Sequence, residues 1–173
     1  SITTNVQAST AAGFSIITYT GTGSNATIGH GLSQAPTFVM CKNLSDSDYF
    51  GIYHASRGET YYGTLPSSSA PSTNSTFWNN TAPTNSVISL GSQNRVNGSG
   101  DSIVCYAWHD VLGFSKFGKF RGSGASNFGP KITTGFKPDL VMIKALSGSE
   151  NWTVWDAPRS NDTNPVEDRL QWN

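Results

Sequence analysis

The sequence predicts an all-β protein: an antiparallel β-sandwich of jelly-roll or concanavalin-like type, built by internal duplication, with the second copy truncated. Three observations carry this. No window of a dozen residues shows a 3.6-residue apolar period free of Gly and Pro, so no long helix is expected. Short runs of β-branched and aromatic residues recur between Gly, Pro, Asn and Ser clusters, at roughly the 8–12-residue spacing of a sandwich or barrel. The chain also repeats itself, because GFSIITYTGTG begins at Gly13 and GFSKFGKFRGSG at Gly113.

Residues 1–12 form an N-terminal segment. The first unit, 13–112, supplies expected strands Phe14–Thr20, Thr37–Asn43, Phe50–His54, Thr60–Leu65, Ser86–Leu90 and Ser102–Trp108. In the last of these Ile103, Cys105 and Ala107 share one face, while Val104, Tyr106 and Trp108 share the other. Apolar character on both faces marks a central strand. The second, incomplete unit, 113–173, supplies Ser115–Arg121, Asp139–Lys144 and Asn151–Trp155.

The two units match residue by residue. Pro36 answers Pro138, Phe38-Val39-Met40 answers Leu140-Val141-Met142, Lys42 answers Lys144 and Arg57 answers Arg159, always 102 positions on. Phe50 and Ile52 correspond to Trp152 and Val154, which reads as a core face. Tyr53 and Trp155 fall on the opposite face: a second packed layer, a flat platform for a sugar, or a subunit contact. The first unit runs from Arg57 on to Leu112, whereas only Ser160–Asn173 follow Arg159. Either these residues are a portion of a longer polypeptide, or a neighbouring chain completes the sheet.

Composition narrows the function. Charged residues are 13%, and Lys+Arg equal Asp+Glu at 11 each. Such a chain lacks the concentrated positive charge that nucleic acid demands. Its apolar runs are far shorter than the roughly 20 residues of a membrane helix. Ser, Thr and Asn make up about a third of the residues beside 20 aromatics, which suits an exposed β protein rather than a disordered one. The Asn-x-Ser/Thr triplets at Asn25, Asn43, Asn74, Asn79, Asn97, Asn151 and Asn161 are what this composition produces by chance. Cys41 and Cys105 read as two buried thiols, because Ile143 stands where the second unit would need a cysteine.

Reactive motifs are missing. Gly21-x-Gly23 and Gly122-x-Gly124 lead into no helix and so are turns needing positive φ, not a dinucleotide fingerprint. His30, His54 and His109 have neither the spacing of a metal site nor that of a relay. Asp46-Ser-Asp48 reads as a polar hairpin loop rather than a calcium loop, since its counterpart Gly148-Ser-Glu150 loses one ligand. The run FSKFGKFR, with Lys131, Lys137 and Lys144, reads as lysines guarding an exposed strand edge. No catalytic residue, metal ligand or cofactor is expected.

Gly13-Phe14-Ser15, Gly29-His30-Gly31-Leu32, Phe38-Val39-Met40-x-Lys42-Asn43, Tyr53-His54, Trp78-Asn79-Asn80-Thr81 and Val96-Asn97-Gly98-Ser99-Gly100-Asp101 together resemble an uncharacterised, duplicated β-domain of bacteriophage virion proteins, frequent in phages of marine and cyanobacterial hosts. The resemblance covers nearly the whole chain. It implies a structural or adhesive part of a virion (a tail fibre, head fibre, appendage or capsid decoration) that assembles with copies of itself and other virion proteins. It implies no catalytic motif. A lectin-like module contacting host-surface glycans through Tyr53 and Trp155 is the alternative, and a polysaccharide-degrading enzyme the second alternative.

Overall fold

The computed structural model describes residues 1–124, 129–158 and 169–172. Its strands are β1 (Thr4–Ser9), β2 (Phe14–Thr20), β3 (Ala26–Gly29), β4 (Phe38–Asn43), β5 (Phe50–His54), β6 (Tyr61–Leu65), β7 (Ser72–Thr73), β8 (Val87–Leu90), β9 (Ser102–Trp108), β10 (Leu140–Ile143), β11 (Trp152–Asp156) and β12 (Arg169–Trp172). Two single-turn helices, α1 (Ser75–Trp78) and α2 (Asn94–Asn97), interrupt them. The protein is an antiparallel, sandwich-like β structure, as the sequence pattern requires.

A seven-stranded sheet in the order β1-β2-β9-β4-β5-β6-β7 forms the middle layer. β9 lies inside it, between β2 and β4, which explains why both of its faces are apolar. Alternation then splits the side chains into two cores. Ile17, Val39, Cys41, Tyr53, Ile103, Cys105 and Ala107 point to one face, where β3, β8 and the helices cover them with Ile28, Ile88, Leu90, Phe77, Trp78 and Val96. Phe38, Ile52 and Leu65 point to the other face, where Trp152 and Met142 of the small sheet β10-β11-β12 meet them.

The duplication is visible in the ladders. β4–β5 pairs Phe38 with His54, Val39 with Tyr53 and Met40 with Ile52. β10–β11 pairs Leu140 with Asp156, Val141 with Trp155 and Met142 with Val154, the same register 102 residues on. Met40 and Met142 pack against one shared cluster. β12 continues the second unit as β6 continues the first, since Trp172 lies opposite Trp152 and Leu65 opposite Phe50.

Several expectations need correction. Ser115–Arg121 forms no strand beyond a single bridge from Ser115 to Val111. Lys119 stands where Tyr19 is buried in the first unit, and an ammonium cannot take that place without a partner. β2 is also held between β1 and β9, and among the described residues the second unit has no counterpart of β9. Phe117 instead folds onto the second core and stacks on Phe38 at 5.6 Å. With no strand there, the lysines of this run guard no edge. Within the N-terminal segment 1–12, β1 pairs with β2 from Thr4 to Ser9.

Cys41 and Cys105 are bonded to each other rather than being separate thiols. They stand directly opposite on β4 and β9 with Cα atoms 4.1 Å apart, the close approach of a non-hydrogen-bonded antiparallel pair. The Gly-x-Gly reading holds at only one glycine of each pair. Gly23 and Gly124 have φ of 67° and 71°. Gly21 is required by close approach instead, because a Cβ there would collide with the Gly98 carbonyl oxygen. The expected match of Arg57 to Arg159 lies outside the described residues.

Candidate functional site

Tyr53, one of the two candidate contact residues, is 3% exposed and sits edge-on to Trp78, ring centroids 5.8 Å apart. Helix α1 closes over it, so its face offers no platform. Trp155 occupies the equivalent position on β11 and is half-buried, opposite Val141 on one side and Arg169 on the other. The structure does not bring the two rings together; they lie on different sheets.

A concavity with two aromatic rings in its lining lies elsewhere. An open groove of about 540 Å³ is lined by Met40, Phe50, Leu65, Pro66, Gln171 and Trp172. Strands of the first unit form one wall and β12 the other. Trp172 is 39% exposed and Gln171 is exposed beside it. The lining contains no carboxylate, imidazole, thiol or hydroxyl from a serine, threonine or tyrosine. It can hold a flat apolar surface and give one amide contact, and nothing in it can transfer a proton. Sequence reasoning missed this site because RLQW alternates over only four residues, too short a run to stand out, and all four are exposed.

The histidines serve the fold. His30 is fully buried; its Nδ1 accepts from Leu32 N–H at 3.1 Å, which leaves the proton on Nε2 to be donated to the Thr84 carbonyl at 3.1 Å. Burial and the neighbouring His109 lower its pKa, against the Thr84 bond. His54 Nδ1 accepts from Ser56 N–H at 3.2 Å, and burial lowers its pKa despite the nearby Asp110. His109 is 4% exposed and donates from Nδ1 to the Asp110 carbonyl at 2.8 Å.

The acidic loop is likewise satisfied by protein groups. The Asp46 carboxylate accepts from Asp48 N–H at 2.6 Å and from Asn94 Nδ2 at 2.9 Å. Burial pushes Asp48 up, but Arg95 at 2.6 Å, the Tyr49 N–H and Lys42 hold its carboxyl below the ordinary value. Among the described residues no group of three His, Cys, Asp or Glu side chains could hold a metal ion.

The WNNT and VNGSGD motifs have defined places in the fold. In WNNT, Trp78 is 1% exposed, while Asn79 and Asn80 take left-handed φ of 52° and 47° to end helix α1. In VNGSGD, Asn97 is fully buried; its Nδ2 donates to the Ser24 and Gly91 carbonyls and its Oδ1 accepts from Thr22 N–H at 2.8 Å. Asp101 accepts from Asn43 Nδ2 at 2.7 Å. A family model described as a domain of unknown function (DUF7483) matches residues 1–173. No curated protein and no solved structure matches the chain.

Proposed function

The chain belongs to this family, the domain of unknown function DUF7483, and we propose that it is a non-catalytic structural and adhesive module of a bacteriophage particle. The observation that carries this reading is where the distinctive residues lie. His30, Asn97, Gly98, Asp101 and Trp78 act inside the fold and Asn79 caps a helix, and the groove lined by Phe50 and Trp172 has no group for acid–base or nucleophilic work. The virion assignment rests on the sequence resemblance. A bond between Cys41 and Cys105 and a hydroxyl- and amide-rich exterior suit a protein working outside a reducing cell interior. The test is mass spectrometry of purified particles from a phage that encodes the chain. Its peptides should be present at a stoichiometry fixed relative to the major capsid protein, and their absence from intact particles would overturn the reading.

One observation favours a second reading, contact with glycans. The groove presents Trp172 and Phe50 beside the Gln171 amide, a combination that suits the flat apolar face of a sugar ring. A glycan array probed with the protein and its Trp172→Ala variant decides it. Binding lost in the variant supports the reading, and an array without any bound glycan removes it.

A further inference from the structure

Among the described residues β10 is hydrogen-bonded on one side only, to β11, whereas its counterpart β4 is held by β5 on one side and β9 on the other. The ladder parity shows what β10 offers. Ala157 N–H donates to the Asp139 carbonyl at 2.8 Å, so alternation turns the backbone groups of Asp139, Val141 and Ile143 toward β11 and those of Leu140 and Met142 toward the open side. The first unit has the same parity: Ala55 N–H donates to the Thr37 carbonyl on the β5 side, and Leu44 N–H to the Ser102 carbonyl on the β9 side, both at 2.8 Å. The open edge of β10 therefore has the geometry with which β4 receives β9.

A second observation concerns the face next to that edge. Val39, Cys41 and Tyr53 are 0%, 0% and 3% exposed, sealed by α1 and the β3–β8 pair. Their equivalents Val141, Ile143 and Trp155 are apolar too, yet only half-buried. The strand between them carries no charge and no proline, and Leu140 at its start is 63% exposed. Within Leu140–Ile143 the edge therefore has neither the charged side chain nor the proline that discourages pairing, and the charges and proline stand only at its flanks.

We infer that β10 is a strand-accepting edge, which takes in antiparallel register an extended peptide with the alternating apolar chemistry of β9. The internal repeat identifies the occupant, because the first unit shows what covers the equivalent edge. Transferring the β4–β9 register, Val141 lies opposite an Ala107-like position, Met142 opposite a Tyr106-like position and Ile143 opposite a Cys105-like position. The inference does not depend on the proposed virion role and holds for any setting of the protein.

The experiment uses the whole chain and a synthetic peptide spanning Gly100–His109 with Cys105→Val. Calorimetry should show saturable one-to-one binding, and hydrogen exchange should show new protection of the Leu140 and Met142 amides. N-methylation of the peptide at Val104 and Tyr106, whose N–H groups face β4 in the first unit, should weaken binding about tenfold or more. N-methylation at Ile103 and position 105 should leave binding within about twofold. Absence of saturable binding, or equal loss from both methylation patterns, overturns the inference. Self-association of the chain that protects the same amides and that the peptide cannot compete away would assign the edge to a second copy and overturn it as well.

Discussion

Leu32 N–H needs an unprotonated nitrogen on His30, and the Thr84 carbonyl needs a protonated one, so only the neutral ring with its hydrogen on Nε2 serves both. Burial lowers the pKa of His30 and of His54. The unfolded chain therefore takes up protons at a pH where the folded chain still excludes them, and protons favour unfolding. This contribution is complete above the ordinary histidine value of about 6.5 and is lost as pH falls through that value toward the lower folded ones. The urea midpoint should fall between about pH 7.5 and 5, with a slope of no more than about 1.4 kcal/mol per pH unit for each histidine. In His30→Gln that slope should shrink while stability at neutral pH also drops. An unchanged slope would show that His30 does not couple to folding. None of these bonds was legible in the sequence, where His30 is one histidine between two glycines. The Cys41–Cys105 bond was hidden for a related reason: the two residues become neighbours only once β4 pairs with β9.

At the scale of the element, strands with internal alternation were legible almost to the residue. Phe14–Thr20, Phe50–His54 and Ser102–Trp108 form with the expected bounds. β1, β3, β7 and β12 were not legible, because TNVQAS is mostly polar, RLQW is only four residues long, and both are largely exposed and hold their form through pairing with a neighbour. The helices escaped notice at four residues each; local caps such as Asn74 on Thr76 N–H define them. The hairpins of the two units share a device the sequence hinted at only by repeating a lysine. Lys42 Nζ donates to the Asp46 carbonyl at 3.0 Å and to that of Asp48. Lys144 Nζ donates to the carbonyl of Glu150, the residue equivalent to Asp48, and to Ser68 of the first unit at 2.8 Å. Burial lowers the Lys144 pKa, and Glu150 offsets part of that. Replacing either lysine by Met strands loop carbonyls and should cost about 1–2 kcal/mol in urea unfolding. Lys144→Met should also speed hydrogen exchange around Ser68, whereas Lys42→Met should not.

For the molecule as a whole, the duplication and the equivalence of Met40 and Met142 were legible, since both follow from a constant step along the chain. The docking of the second unit onto the first was not, because it depends on which faces remain uncovered once each sheet has formed. Trp152 holds that junction. It is 6% exposed among Phe38, Ile52 and Leu65, and its Nε1 donates to the Thr64 carbonyl at 2.8 Å. Trp152→Phe should cost about 1–2 kcal/mol, mainly by leaving that carbonyl unsatisfied. Trp152→Ala should cost about 3–5 kcal/mol and make residues 129–158 the first to be cut in limited proteolysis. Cleavage spread evenly over both units would show that the junction does not depend on this ring. The bond between Cys41 and Cys105 has a mechanical corollary. Tension applied at the two ends of the polypeptide bypasses the intervening stretch, a separation of 64 residues, through one sulfur bridge. At about 3.5 Å per residue, roughly 220 Å of contour length stays locked until a reductant opens the bridge, so single-molecule stretching should gain that extension only after reduction.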